Sequence, residues 1–223
     1  MVYKIGASLA CADQLNLERD TNLLIKSGID FLHIDIMDGI YVNNYCFGIQ
    51  IFDYLKKFKN TEIEVHLMVD NPYDKIDYFK DRYLDKISFH VEAAKNPIQT
   101  LSKIKSIGKE CGIAINAATH ENSIYHLYDF IDYILVMAVE AGFAGQNFIN
   151  STVNKVKNIR GELRKRKMKK DIYIDGHVDE DTISILSSAG ANVFVGGTAG
   201  LFKKDSNFKE NIANLRNCLN KFG

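Results

Sequence analysis

Two histidines and two aspartates stand near the ends of short apolar segments, where a globular protein seldom places polar side chains. His33 and Asp35 alternate with bulky residues in FLHIDIMDG, His66 lies late in EIEVHLMV, and Asp175 ends IYID. Residues two apart on a strand point to the same side, so His33 and Asp35 share one face. Brought together, these side chains would form a metal site or an acid–base site.

Nitrogen and oxygen ligands together suit a borderline divalent ion, Zn²⁺, Fe²⁺, Co²⁺ or Mn²⁺, better than Mg²⁺. Each residue alone has a simpler explanation, because a histidine can be a hydrogen-bonded core residue and an aspartate a helix cap. Four such placements at one end of a sheet favour the metal interpretation.

Met37, Met68 and Met137 also fall at or near strand ends. They are either core filler or an apolar lining that keeps water from a reactive intermediate.

The polar residues belong to a repeated pattern of short segments rich in β-branched and aromatic residues, which predict strands. The eight segments are YKIGASL, DFLHIDI, EIEVHLMV, KISFHV, GIAINA, YILVMAV, IYID and NVFVGG. Stretches with helical spacing lie between most of them, including 14–27, 96–108, 151–167 and 180–189.

Alternating strands and helices predict a parallel sheet, and eight units predict a closed (β/α)8 barrel of the TIM type, with an open doubly wound sheet as the alternative. Gly28, Gly108 and Gly190 each follow a helical stretch and precede a strand, as helix-ending residues should. This repeated unit favours the barrel. Catalytic groups of such barrels lie at the carboxyl ends of the strands, where the four polar residues are expected.

Composition predicts one soluble domain over residues 1–223 that binds neither nucleic acid nor membrane. Of its residues, 46% are hydrophobic, and 28 Lys and Arg balance 28 Asp and Glu. The basic run at 164–170 closes a helical stretch and is interpreted as a solvated helix end. Four scattered cysteines, no apolar run of membrane-spanning length and no signal-like N-terminus predict a cytoplasmic protein with reduced thiols.

Glycine-rich segments follow the last three predicted strands: AGFAGQNF at 141–148, DGH at 175–177 and VGGTAGLF at 195–202. A short helix is expected to start at Thr198. Backbone N–H groups and a helix N-terminus after the seventh and eighth strands would bind an anion, and phosphate is the expected ligand.

These motifs, in this order, resemble the ribulose-phosphate 3-epimerases and their relatives that act on D-allulose 6-phosphate. The resemblance covers nearly the whole chain and rests on HIDIMDG, VHLMV, SFHVE, GFAGQ-x-FI, the strand-end DG and VGGTAGLF. It implies a metal-dependent epimerase that inverts C3 of a phosphorylated ketose in carbohydrate metabolism. It also implies a homo-oligomer, either a dimer or a larger ring.

Position by position, the resemblance implies roles for individual residues. His33, Asp35, His66 and Asp175 match the metal ligands, and Asp35 and Asp175 also match the two proton-transfer residues. Met37, Met68 and Met137 match the apolar lining. The residues that match substrate contacts, including the loop over the substrate and the phosphate site, are Ser8, His66, Gly142, Phe143, Ala144, Gly145, Gly176, His177, Gly197 and Thr198.

The chain departs from the family pattern at three places. It reads IYVNN after MDG where a phenylalanine and a proline are usual, Ala141 stands for a proline before GFAG, and His177 stands for a glycine or serine. We expect the Ala141 change to loosen the loop. His177 would either donate to the phosphate or crowd it.

The GFAGQ-x-FI and GT-x-GLF forms resemble the allulose 6-phosphate branch (product D-fructose 6-phosphate) more than the ribulose 5-phosphate branch (product D-xylulose 5-phosphate).

Inverting a carbon beside a ketone requires one acid–base group on each face of the substrate, and Asp35 and Asp175 meet that need through an enediolate. The alternatives are a phosphate-binding-barrel decarboxylase of the orotidylate or ketogulonate-phosphate type, whose sites generally carry a lysine among aspartates, and a non-catalytic sugar-phosphate binder. His90, on the fourth strand, could support the ligands.

Overall fold

A computed structural model describes residues 2–204 and 206–220. Eight parallel strands close on one another, because the first strand pairs with both the second and the last. A ninth, two-residue strand lies antiparallel on the second. The strands are β1 (Lys4–Ser8), β2 (Phe31–Asp38), β3 (Tyr45–Cys46), β4 (Glu62–Met68), β5 (Lys86–His90), β6 (Glu110–Ile115), β7 (Tyr133–Met137), β8 (Asp171–Asp175) and β9 (Val193–Gly196). The predicted (β/α)8 barrel is confirmed.

Helices connect the strands on the outside of the barrel. They are α1 (Leu17–Lys26), α2 (Ile51–Leu55), α3 (Pro97–Ser106), α4 (Ser151–Lys165), α5 (Glu180–Ala189) and α6 (Phe208–Leu219). All four predicted helical stretches contain a helix, and Gly28, Gly108 and Gly190 adopt the left-handed φ expected of helix ends. Short 3₁₀ segments at Pro72–Phe79 and Glu121–Leu127 stand where the other crossovers would carry α-helices.

The N-terminal helix is shorter than its sequence pattern predicts. Helical spacing begins at Gln14, but the α-helix begins at Leu17 and a 3₁₀ turn covers Gln14–Asn16. Asp13 caps that turn by accepting a hydrogen bond from the Leu15 N–H, which satisfies a backbone group that would otherwise be unpaired.

The basic run at 164–170 does mark a helix end. Helix α4 stops at Lys165, and the Arg166 side chain turns back to Glu162 with a 2.7 Å contact between Nε and Oε1. Cations at this end complement the helix dipole.

Two apolar clusters hold the barrel together. The larger one fills the layer between the outward faces of the strands and the helices. The smaller one lies inside the barrel and consists of Phe31, Ala114, Tyr133, Leu135, Met137, Val139, Tyr173, Val193 and Val195. Side chains alternate between the two layers along each strand, so the residues at every second position point into the barrel.

The barrel interior also contains a polar layer. Tyr133 on β7 donates to Glu64 on β4 at 2.8 Å, and Lys86 on β5 lies 3.3 Å from the Tyr173 hydroxyl on β8. These strands are not neighbours, so the contacts cross the interior. No helix in the described part of the chain is long and apolar enough to cross a bilayer.

Candidate active site

Four side chains meet at the carboxyl ends of β2, β4 and β8. One potential ligand atom from each of His33, Asp35, His66 and Asp175 lies within 4.8 Å of the other three. Asp35 Oδ1 is 3.2 Å from both His33 Nε2 and His66 Nδ1, and Asp175 Oδ2 is 3.6 and 3.4 Å from the same two nitrogens. Two imidazole nitrogens and two carboxylate oxygens around one point match the ligands that divalent transition ions prefer. The cluster can therefore hold a metal ion.

Strand register produces this convergence. Asp35 pairs directly with His66 across β2 and β4, which places both side chains on the same face at the same height. Ser8 on β1 pairs with His33, and its hydroxyl donates to Asp35 Oδ2 at 2.8 Å. The Ser8 hydroxyl thus fixes the Asp35 oxygen that does not face both imidazoles.

The four groups shift one another's pKa values. Burial by itself would raise the pKa of Asp35, but the charge and hydrogen bonds of His33 and His66 hold it well below its usual value. The pKa of Asp175 is lowered in the same way, against its burial, by hydrogen bonds from both histidines. Conversely, burial opposes a charge on His66, but Asp175 and Asp35 raise its pKa to about 9. The carboxylates are therefore ionised beside imidazoles whose protons a cation would displace.

His33 and His66 are each connected to a further carboxylate on the side of the ring that faces away from the cluster. Nδ1 of His33 lies 2.5 Å from Glu64 Oε2, although the two atoms are not aligned for a hydrogen bond. The other Glu64 oxygen accepts hydrogen bonds from the hydroxyls of Ser88 at 2.7 Å and Tyr133 at 2.8 Å. Glu64 is fully buried, which would raise its pKa, but the pKa is lowered because the charge of His33, the charge of His66 and the Ser88 hydroxyl together outweigh the burial.

His66 has a longer connection to a carboxylate. Its Nε2 is 3.0 Å from Nε2 of His90, and Nδ1 of His90 is 3.2 Å from Glu92 Oε2. Burial lowers the pKa of His90. Burial would raise the pKa of Glu92, but hydrogen bonding to His90 and the other contacts lower it to about 2. Neutral His90 therefore lies between a candidate metal ligand and an ionised carboxylate.

The two carboxylates of the cluster form part of the floor of a pocket at the carboxyl ends of the strands. Most of the residues predicted from sequence line it, namely Ser8, Asp35, Met37, Met68, Met137, Gly142, Phe143, Ala144, Gly145, Asp175, Gly176, His177, Gly197 and Thr198. His33 and His66 lie beneath the floor and are fully buried. The structure thus places the three methionines and the three glycine-rich segments around one opening.

The loop after β7 lines this opening. Gly142 and Gly145 have φ of 117° and 80°, values that favour glycine. The Asn44 amide donates to the Gly142 carbonyl at 2.7 Å, and His177 Nδ1 contacts the Gln146 carbonyl at 2.6 Å. Ala141, expected to loosen the loop, has an N–H that reaches Asn116 Oδ1 at 3.3 Å, a contact that a proline could not make.

His177 adopts a conformation that histidine rarely takes. Its φ is 49°, in the left-handed region, and its Nε2 lies 3.5 Å from Asp179 Oδ2. The ring thus bridges the loop after β7 and the first residues after β8.

One prediction for the phosphate side is wrong. No helix starts at Thr198; instead the Gly197 carbonyl accepts hydrogen bonds from the N–H groups of both Leu201 and Phe202, which closes a tight turn. Gly200 makes this turn possible, because a Cβ there would lie 2.3 Å from the Val178 carbonyl oxygen. Any anion at this loop would meet backbone N–H groups of a turn, without a helix dipole.

Sequence reasoning did not find Glu64, Glu92 or Asn44. Glu64 had a detectable signal, since it stands two residues before His66 on the same strand and shares its inward face. Glu92 and Asn44 follow strands and act through long-range contacts that spacing does not reveal.

The fold and this site define an enzyme of the (β/α)8 barrel class with a candidate metal centre at the carboxyl ends of its strands. A model of the ribulose-phosphate 3-epimerase family matches residues 4–201. Ribulose-phosphate 3-epimerase of Methanocaldococcus jannaschii is 37% identical over 217 residues, covering 96% of this chain and 90% of that protein. The Bacillus subtilis ribulose-phosphate 3-epimerase is 34% identical, with 96% and 99% covered. The chain belongs to the ribulose-phosphate 3-epimerase family and is an isomerase, specifically an epimerase.

Solved structures show the same fold at much lower identity. A 3-keto-L-gulonate-6-phosphate decarboxylase from Vibrio cholerae superimposes with a TM-score of 0.74 at 13% identity over 100% of both chains. A 3-hexulose-6-phosphate synthase from Salmonella typhimurium gives 0.69 at 14% identity, over 99% of this chain and 100% of that one. These likenesses concern the fold alone, and the family membership favours the epimerase over the decarboxylase alternative.

Proposed function

We propose that the protein inverts C3 of a phosphorylated ketose through an enediolate, with Asp35 and Asp175 as the two acid–base groups. The observation that carries this proposal is that both carboxylates line one pocket and contact the same two imidazoles from different strands. Strands β8 and β2 are separated by β9 and β1 around the barrel, so the two carboxylates approach the cluster from different sides.

The reaction needs one ionised and one protonated carboxyl group. The ionised one removes the C3 proton from one face of the substrate, and the protonated one returns a proton to the other face. Asp35 and Asp175 exchange these roles when the reaction runs backwards. Because the pKa values of both groups are lowered, both start as carboxylates, and the one that acts as the acid must first take up a proton from solvent.

His33, Asp35, His66 and Asp175 are the residues that would hold a divalent ion. When bound, such an ion supplies Lewis-acid stabilisation of the negative charge that develops on the substrate oxygens. The ligand types favour Zn²⁺, Fe²⁺, Co²⁺ or Mn²⁺ over Mg²⁺. Met37, Met68 and Met137 exclude water from the reacting carbon, and the backbone at Gly176, Gly197 and Thr198 receives the phosphate, with His177 beside it.

The proposed substrate is D-ribulose 5-phosphate, with D-xylulose 5-phosphate as its product. The names of the curated relatives support this choice. A second candidate is the interconversion of D-allulose 6-phosphate and D-fructose 6-phosphate, which the GFAGQ and GTAGLF forms of the loops favour. The two substrates differ by one carbon between the reacting centre and the phosphate.

The test is to assay the purified protein against both ketose phosphates side by side, with metal analysis of the same sample. We expect conversion of at least one substrate by protein that contains about one divalent ion per chain. Metal-loaded protein that converts neither substrate would contradict the proposal.

A further inference from the structure

The ring of His66 has two nitrogens with separate partners. Nδ1 faces the carboxylate oxygens of Asp35 and Asp175, whereas Nε2 points away from the cluster and lies 3.0 Å from Nε2 of His90. The two rings are nearly parallel, with an interplanar angle of 29°, and both residues are fully buried. Water therefore does not reach this contact, and the two imidazoles must satisfy each other.

Only one arrangement of protons satisfies the whole series of contacts when His66 binds a cation. A ligating Nδ1 offers a lone pair, so the neutral ring carries its proton on Nε2 and donates it to His90 Nε2. His90 must then carry its own proton on Nδ1, which donates to Glu92 Oε2 at 3.2 Å. Glu92 ends the series as a carboxylate, whose other oxygen accepts the Asn116 N–H at 2.8 Å.

The position of His90 is itself fixed. Its ring packs against the rings of two residues. The centroid of the His90 ring is 4.8 Å from that of Tyr41 and 5.0 Å from that of His66. Glu92 is anchored by Asn116, which also donates to Glu140 on the pocket rim at 2.8 Å. When a metal-binding histidine donates its other ring N–H to an acceptor whose position is fixed, that hydrogen bond determines which ring nitrogen faces the metal and how the ring is oriented.

We propose that His90 is a positioning residue that, together with Glu92, sets the tautomer and orientation of His66 for metal binding. This inference rests on the proposed function only in taking the four-residue cluster as the metal site. His90 contacts none of the four ligand atoms and acts through His66 alone. Loss of such an outer contact typically weakens metal affinity about 10- to 100-fold.

Two substitutions of His90 separate positioning from packing. His90→Phe keeps an aromatic ring of similar size but offers neither an acceptor to His66 nor a donor to Glu92. His90→Gln has an amide oxygen that can accept from His66 and an amide nitrogen that can donate to Glu92. Tyr128→Phe is the matched control, because its hydroxyl is buried in the outer apolar layer and has no hydrogen-bond partner among the described residues.

The measurement is Co²⁺ affinity by chelator competition, together with the visible absorption spectrum of the Co²⁺ protein, which reports ligand geometry. We expect His90→Phe to lose about 10- to 100-fold in affinity and to change the spectrum. His90→Gln is expected to recover most of the affinity, and Tyr128→Phe to match the wild type. Circular dichroism establishes that each variant is folded.

The inference is overturned if folded His90→Phe binds Co²⁺ with wild-type affinity and spectrum. If His90→Phe does not fold, the comparison of His90→Gln with Glu92→Gln decides. The inference then requires near-wild-type affinity in the first and weaker binding in the second, and equal affinities would overturn it. Because the readout needs no substrate, a protein that shows the affinity loss but converts no ketose phosphate would refute the proposed function alone.

Discussion

At the residue scale, Asp35 and Asp175 have similar surroundings with one difference. Asp35 places one oxygen against both imidazoles and accepts the Ser8 hydroxyl with the other, whereas the imidazole contacts of Asp175 all use Oδ2. Asp35 is therefore held at both oxygens by its neighbours on β1, β2 and β4. Asp175 is the better residue to substitute, since its replacement disturbs fewer contacts.

We predict that Asp175→Asn loses nearly all epimerisation activity but keeps the fold. The amide preserves volume but cannot take up a proton, and loss of a positioned acid–base group costs about 100- to 10,000-fold in rate. The measurement is kcat with the better of the two ketose phosphates, with thermal unfolding as the check on folding. Asp171→Asn, at the opposite end of the same strand, is the control and should retain wild-type kcat. Wild-type turnover by Asp175→Asn would exclude the two-base scheme.

The four cluster residues could be predicted from sequence because each lies on a strand whose alternation fixes the side it faces. The residues behind them could not be predicted as readily. Glu92 follows its strand in a 3₁₀ turn, and its contact with His90 depends on how that turn bends. The roles of Asp35 and Asp175 in proton transfer remain predictions.

At the element scale, the barrel interior requires a small residue opposite a large one. Gly112 on β6 pairs with Tyr133 on β7, and a Cβ on Gly112 would lie 2.4 Å from the Tyr133 ring. Tyr133 is in turn the donor that holds Glu64 beneath the metal cluster. Because Gly112 on β6 has no side chain, the Tyr133 ring on β7 has room to reach Glu64.

Gly112→Ala is expected to lower the free energy of unfolding by about 1–3 kcal/mol, the usual cost of overpacking a core. Gly161→Ala is the matched control. Gly161 lies inside α4, where a Cβ would meet no atom of the described residues within 4 Å, and alanine is favoured over glycine in a helix by about 1 kcal/mol. Denaturant unfolding of both variants measures the difference. Equal stability of the two variants would show that the ring does not need this space.

His177→Gly is expected to raise KM for the ketose phosphate about two- to tenfold, because the contact with the Gln146 carbonyl is worth about 0.5–1.5 kcal/mol. Without this contact, the loop after β7 is expected to spend more time open. It also relieves the left-handed backbone strain at φ 49°.

Lys167→Gly relieves the same kind of strain, at φ 57°, without any part in the loop. It serves as the control and should leave KM unchanged. If both glycine variants show the wild-type KM, His177 does not hold the loop.

The positions of the strands and the main helices could be predicted from the periodicity of apolar residues, but the structure of the connecting segments could not. Pro72–Phe79 and Glu121–Leu127 form 3₁₀ segments, whose spacing differs little from that of an α-helix in so few residues. The turn at Thr198 was wrongly expected to be a helix because Gly197 and Gly200 permit either structure. Its form depends on the close approach of Val178, which lies far away in sequence.

At the scale of the whole molecule, proton binding and metal binding compete for the same nitrogens. The pKa of His66 in the folded chain is raised from 6.5 to about 9, so below pH 9 a metal ion must displace its proton. Metal affinity should therefore rise with pH up to about 9, by about tenfold per unit for each proton released, and the slope should fall once His66 has lost its proton. Chelator competition at several pH values measures this, and an affinity independent of pH would contradict the assignment of His66 as a ligand.

The closed barrel brings strands from both halves of the chain to one pocket, and its glycine-rich segments lie side by side only in three dimensions. The single domain over residues 1–223, the homo-oligomer and the cytoplasmic location remain predictions. Light scattering of the purified protein would measure the number of subunits.

The most direct test of the two-carboxylate epimerase is the fate of the C3 proton when the metal-loaded protein acts in heavy water. Proton removal by one carboxylate and return by the other, which exchanges with solvent, predicts deuterium at C3 of the first-formed product by nuclear magnetic resonance. Product that carries the original proton at C3 would contradict the account.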